Sequence, residues 1–307
     1  MYKGELLAFI TTISWTACAM FGEVASKRMG TLPFNVARMT LSVVMLGILL
    51  WIFTGTPYPT DADAQTWLWL ALSGFVGYVL GDFCLYNCYN LIGARYGQLL
   101  MTLAPPSASL FGWVMLGEKM TFMPLLGMTI SIIGIIIAIH RPQKTIEQNP
   151  KLSGKGILYG IGAGVGQGIG LVLSSKGLHC YSEVVDSSNI SVNIMSFEGT
   201  FIRAIAGVIG FAIWTSFKYS IPKFWESVTR TKALPHTIIA TITGPFVGVG
   251  LSLAATQYTS AGIAQTIMSL TPVFILLPTY LVYRQRITIR EILGAVIAVA
   301  GVTLFFV

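Results

Sequence analysis

Apolar residues run along this chain in blocks of about 20, separated by short polar or glycine- and proline-bearing breaks. That is the helix length needed to cross a hydrocarbon core of roughly 30 Å. The pattern predicts ten spans, near residues 5–25, 33–53, 67–90, 94–116, 121–139, 154–175, 190–217, 234–257, 261–283 and 289–307. Trp15 and Glu23 interrupt the first block and no small-residue cleavage pattern follows it, so it reads as a span and not as a cleaved signal. The longest polar connection, 140–155, has the proline, glutamine and lysine content of a linker.

The blocks repeat. Shifted by 167 positions, the stretch from Ala94 to His140 falls without a gap on 261–307. Gln98 lands on Gln265, Met101 on Met268, Pro105 on Pro272, Gly127 on Gly294 and Gly134 on Gly301; further back, Gly77 lands on Gly244 and Gly81 on Gly248. The expected organisation is therefore a first five-helix repeat over 1–140, a linker over 141–153 and a second repeat over 154–307. An odd number of spans per copy places the two copies in opposite orientations in the bilayer, the architecture of alternating access. The fold class predicted is an all-α integral membrane protein of ten transmembrane helices in two inverted five-helix repeats.

Composition agrees and excludes a soluble core: 54% of residues are hydrophobic and 10% charged, against about 25% charged in soluble domains. The net charge of +7 is distributed by topology. Fourteen Lys and Arg residues, Lys27, Arg28, Arg95, Lys155, Lys218 and Lys223 among them, fall in loops on one side, and three (Lys3, Lys119, Lys176) on the other. Basic loops stay in the cytoplasm, so the count puts both termini outside and gives no reason to invoke nucleic acid. Cys18, Cys84, Cys88 and Cys180 lie mostly within apolar blocks and read as buried thiols, since no histidine or second cysteine pair completes a metal set.

Polar residues inside the spans are the candidates for function, because an ionisable group there is costly and normally faces a cavity or a partner. In the third span Tyr78, Asp82, Tyr86 and Tyr89 are spaced four, four and three, on one helix face. They form either a polar wall of a path, with Asp82 contacting a cationic group or carrying a proton, or a hydrogen-bond cluster between helices. Glu23, near the end of the first span, is either a solvated or capping group or a second proton-coupling candidate. Arg38 and Arg203 recur early in the second span of each copy and fit a structural or lipid-phosphate role as well as substrate contact. Gln98-Thr102-Pro105 and Gln265-Ser269-Pro272 place an amide, a hydroxyl and a proline at matching points of the fourth and ninth spans. Each proline removes a backbone donor, so both helices should be kinked, and irregular backbone in lipid is tolerated only against protein or a water-filled cavity. The glycines of Gly160–Gly170 are spaced for close helix packing, with Gln167 among them a candidate for the cavity wall. The lining set is Trp15, Tyr78, Asp82, Tyr86, Gln98, Gln167, Gln257 and Gln265, with Pro105, Pro272, Arg38 and Arg203 as structural or hinge positions.

The search for enzyme chemistry returns nothing with the required spacing. There is no GxxxxGK[ST], HExxH or GxSxG, and no strict GxGxxG in the glycine-rich span. No second intramembrane aspartate is present to share a proton with Asp82. No enzyme activity, cofactor or metal is expected.

The duplication, the Ala-to-Gln-to-Pro helix followed by Leu116-Gly117-Glu118-Lys119-Met120-Thr121, and the glycine-spaced closing helices Gly127 to Gly134 and Gly294 to Gly301 resemble the drug/metabolite transporter superfamily, EamA type. The resemblance covers essentially the whole chain. It implies a secondary carrier, often an exporter, of amino acids, metabolites or amphipathic compounds, in a bacterial inner membrane, with a small-molecule substrate and the lipid bilayer as partners and a monomer as the working unit. It also implies, for several relatives, termini on the inside. The second copy departs from the pattern at Arg284-Gln285-Arg286, so a role for Glu118 is not duplicated. The alternatives from other classes are a non-transporting membrane scaffold or partner subunit, and a passive channel.

Overall fold

The computed structural model describes residues 2–116, 122–139, 152–185, 191–258, 267–284 and 287–304. Its first half holds α1 (Lys3–Met29), α2 (Thr31–Thr54), α3 (Ala64–Ile92), α4 (Ala94–Met101), α5 (Ala104–Leu116) and α6 (Phe122–Ile139). Its second half holds α7 (Gly154–Val184), α8 (Ser191–Lys218), α9 (Ile221–Arg230), α10 (234–258), α11 (Thr271–Phe274), α12 (Leu276–Tyr283) and α13 (Ile289–Thr303). No strand occurs among the described residues. Helices α4 and α5 make one broken span, and among the described residues each of the ten stretches expected from the sequence holds helix. Helix α9 is an addition.

This is an all-α integral membrane protein. Five helices are long and apolar enough to cross a bilayer unaided, and shorter apolar helices complete the set. Large side chains such as Val44, Trp51, Ile52, Val114, Ile136 and Leu281 point outward, while Thr11, Thr12, Asn35, Arg38, Ser42, Asp82 and Ser131 are buried. That distribution suits a lipid solvent, where the polar groups need protein partners. Two turns are as short as a chain allows: single glycines, Gly30 (φ 89°) and Gly93 (φ 88°), join α1 to α2 and α3 to α4. At positive φ a Cβ would be strained, so glycine is the residue these reversals require.

The halves pack by exchange. Helix α1 lies on α10 and α7 on α3, while α2 packs on α8 and α6 on α13. Each pairing takes one helix from each copy. Ser131 Oγ donates to the Ala298 carbonyl at 3.1 Å, and Ser131 and Ala298 are themselves counterparts under the 167-residue shift. A residue touching its own counterpart marks the pseudo-two-fold axis. Flanking it, Gly134 abuts the Gly294 carbonyl and Gly301 abuts the Gly127 carbonyl, the same contact made twice. The first helices are related by a different shift, of 152. Ser14 Oγ donates to the Thr243 carbonyl at 2.8 Å, while its counterpart Gly166 sits against the Val76 carbonyl. Cys18 Sγ contacts the Ala240 carbonyl at 3.3 Å, and its counterpart Gly170 accepts from Ser73 at 2.6 Å.

The glycine-rich helix α7 is wedged between two neighbours. Gly160, Gly164 and Gly168 meet Leu100, Leu103 and Ala104 of the broken span, while Gly166 and Gly170 meet Gly81 and Gly77 of α3. This is small-residue packing on two faces of one helix.

Candidate functional site

The backbone irregularities recur in both copies. Both third spans contain π-helical turns, Phe75–Asp82 in α3 and Ile242–Phe246 in α10, starting at residues 167 apart. A π turn adds a residue per turn and re-aims the side chains that follow it. Both broken spans tighten at equivalent residues: Leu103 N donates to Leu100 O and Leu270 N to Ile267 O, each at 3.1 Å. The breaks therefore lie two residues before the prolines. Pro105 and Pro272 occupy the first turn of the helix that restarts, where a missing N–H is harmless.

Between the two breaks lies a cavity of about 380 Å³. Trp15 of α1, Gln98 and Thr102 at the first break, Ser269 and Thr271 at the second, and both prolines line it, with Leu171 and Val302 toward one end. Among the described residues the lining carries one amide, hydroxyls, an indole and apolar groups, and no charged side chain. It extends from mid-span toward the membrane face remote from the basic loops, since Leu171 and Val302 lie far along helices that begin at the basic-loop end.

At the basic-loop end the helices are tied by buried charges. Glu23 Oε2 accepts from the Ala94 backbone N–H at 2.9 Å, satisfying a free donor at the start of α4, and its other oxygen pairs with Lys27. Arg95 lies 3.5 Å from Glu291 of α13, and the Tyr96 hydroxyl donates to the same carboxylate. Glu291 also completes a capping box with Thr288. The contacts to Glu291 join the two copies.

Asp82 sits apart from the cavity, 3% exposed. The Arg38 guanidinium donates to it at 2.7 Å and the Gln167 amide at 2.8 Å; Gln167 also donates to the Gly77 carbonyl at 3.1 Å. Arg203 stacks over Tyr78 at 4.7 Å from the ring centre and lies within electrostatic reach of Asp82. The network leads back toward the cavity: Arg38 faces Tyr86 at 5.3 Å, Tyr86 meets Tyr89 edge-on at 5.3 Å, and the Gln98 amide donates to the Tyr89 hydroxyl at 2.5 Å.

The structure thus brings Trp15, Gln98, Pro105 and Pro272 together on the cavity. It gathers Tyr78, Asp82, Tyr86, Gln167, Arg38 and Arg203 in a buried network beside it. The four polar residues of α3 are all buried between helices: Arg203 of α8 lies over Tyr78, Asp82 meets Arg38 of α2 and Gln167 of α7, and Tyr86 meets Arg38 of α2 and Gly22 of α1. Glu23 caps α4. The side chain of Gln257, and Gln265 altogether, lie outside the described residues. The candidate set omitted Thr102, Ser269 and Thr271, although Thr102 and Ser269 belong to the Gln-hydroxyl-Pro pattern that pointed there.

A duplicated, inverted set of spans with kinks at matching points around a central cavity defines a membrane transporter. The chain belongs to the EamA-like transporter family, whose family model matches residues 2–139 and 154–307. It is similar to the uncharacterized transporter YoaV of Bacillus subtilis (strain 168), 24% identical over 134 residues, a match covering 44% of this chain and 46% of YoaV. A solved structure titled only as the crystal structure of a protein aligns over 98% of this chain and 96% of its own with a TM-score of 0.58 at 14% identity, a likeness of fold.

Proposed function

We propose that the chain is a secondary transporter moving small amino acids, metabolites or amphipathic compounds across a bacterial inner membrane by alternating access of its two repeats. The observation that carries this reading is the cavity of about 380 Å³ between the two broken spans, lined by Trp15, Gln98 and hydroxyls and free of charge. Its size suits a compact solute. An uncharged amide and hydroxyls beside an indole recognise polar ends and an apolar or aromatic body without demanding a net charge. The breaks put a joint of each span at the cavity, so a rocking of one repeat against the other moves both joints together. In the state described, the ties at Glu23 and Glu291 hold the basic-loop end closed while the cavity extends the other way. Exposure to the opposite side requires those ties to part.

Counterflow in proteoliposomes preloaded with an amino-acid and metabolite mixture tests this. Saturable exchange is expected, with Trp15→Ala and Gln98→Ala raising the half-saturating concentration on the order of tenfold, the loss of one hydrogen bond or ring contact. Flux that neither saturates nor exchanges would instead describe a channel.

A further inference from the structure

Helix α9 carries Ile221, Phe224, Trp225 and Val228 at helical spacing, with Lys223 and Glu226 between them. Val228 is buried, yet Ile221 is 76% and Trp225 58% exposed, and Phe217 at the end of α8 is 84% exposed. An amphipathic helix with exposed aromatic and aliphatic side chains, next to a span end, lies in the interfacial plane of a membrane. Beneath it, between α9, the end of α8 and the start of α2, is a groove of about 520 Å³. Val36, Ile221, Phe224 and Trp225 make its apolar wall, and Thr215 and Tyr219 contribute hydroxyls.

Thr215 gives the groove a polar point. It is 5% exposed and its Oγ1 has no hydrogen-bond partner. Thr12, Thr16, Thr237, Thr241 and Thr279, also buried in helices, return the hydroxyl to the carbonyl four residues back. Thr215, which lines the groove, does not. Cations stand next to it in sequence: Lys218 and Lys223, each adjacent to a lining residue, are exposed, as are Arg28 and Lys232 near the C-terminal end of α9, with Glu226 the acidic group on that helix. Arg28 reaches across to the Lys232 carbonyl at 3.4 Å.

We propose that this groove binds an anionic phospholipid, with an acyl chain along the apolar wall and the phosphate among Lys218, Lys223 and their neighbours. The apolar groove alone would take any lipid chain; the four cations against one carboxylate select the headgroup.

Quenching of Trp225 by lipids brominated on the acyl chain tests the site in reconstituted full-length protein. The Trp225 signal is isolated as the difference between the wild type and Trp225→Phe. Brominated phosphatidylglycerol is expected to half-quench it at a mole fraction at least about threefold lower than brominated phosphatidylcholine. The preference should disappear in Lys218→Ala/Lys223→Ala, whose two side chains are exposed. Ala212→Phe, which fills the groove, should weaken quenching by both lipids. Equal dependence on the two lipids in the wild type would overturn the proposal, leaving ordinary annular lipid. A preference that survives the double lysine change, or quenching unaffected by Ala212→Phe, would equally overturn it.

Discussion

The same frame has been filled in two ways. Where α7 of the second copy crosses α3 of the first, Gln167 sits against Gly81 and joins Asp82 and Arg38 in a closed set of buried charges. At the equivalent crossing, α1 of the first copy lies on α10 of the second. There Trp15, the counterpart of Gln167, sits against Gly248, the counterpart of Gly81, and Val249 stands where Asp82 would be. One crossing is locked by ions, and the other opens on an uncharged cavity. A duplicated backbone supplies two geometrically equal places, and divergence of a few side chains makes one a strut and the other a cavity wall.

The largest expected effect comes from breaking the strut. Arg38 and Asp82 are 6% and 3% exposed, and removing one partner leaves the other charged and buried. Arg38→Ala or Asp82→Ala should each lose about 3–5 kcal/mol of stability. Thermal unfolding in detergent measures this, and the double change Arg38→Gln/Asp82→Asn should recover much of the loss. If either single change leaves the midpoint unmoved, the pair is not holding α2 to α3.

Much of this frame could be read without coordinates, for a physical reason. The 167-residue repeat survives in glycines and prolines, whose backbone roles tolerate no substitute, so Gly127/Gly294, Gly134/Gly301 and Pro105/Pro272 kept their register. The correspondence of Trp15 with Gln167 and Cys18 with Gly170 was illegible, since these pairs share a position and no chemistry. Helix periodicity put Tyr78, Asp82, Tyr86 and Tyr89 on one face, but periodicity registers neither the π turn at Phe75–Asp82 nor the partners that bury the face, Arg38 and Gln167 among them. Arg38 read as an arginine near a headgroup region because spacing along α2 says nothing of α3 beside it. Helix α9 was hidden by its own Lys223 and Arg230, which mark the segment as a loop in a count of charges.

A second comparison concerns what the copies still share. Gly134 and Gly301 make the same contact on opposite sides of the Ser131–Ala298 axis, each against backbone of the facing helix. Gly134→Val and Gly301→Val should each cost about 1–3 kcal/mol through forced separation of α6 and α13. Equal losses in detergent unfolding would support the axis as drawn. A large loss for one and none for the other would place the close approach on one side alone.

The smallest effect separates the two breaks themselves. Pro272 has no N–H to give the Met268 carbonyl, and the Thr271 hydroxyl donates to it instead at 2.8 Å. At the first break the Thr102 hydroxyl donates to Leu99 O at 2.7 Å, but that carbonyl already accepts from Thr102 N at 3.1 Å. Replacing Thr271 by Val therefore leaves a buried acceptor without its hydroxyl donor, whereas replacing Thr102 removes a second bond to a satisfied one. Thr271→Val should cost about 1 kcal/mol and Thr102→Val clearly less. Unfolding midpoints in the same micelle decide the order, and a reversed order would mean that the hydroxyls do not carry the backbone accounting of the two joints.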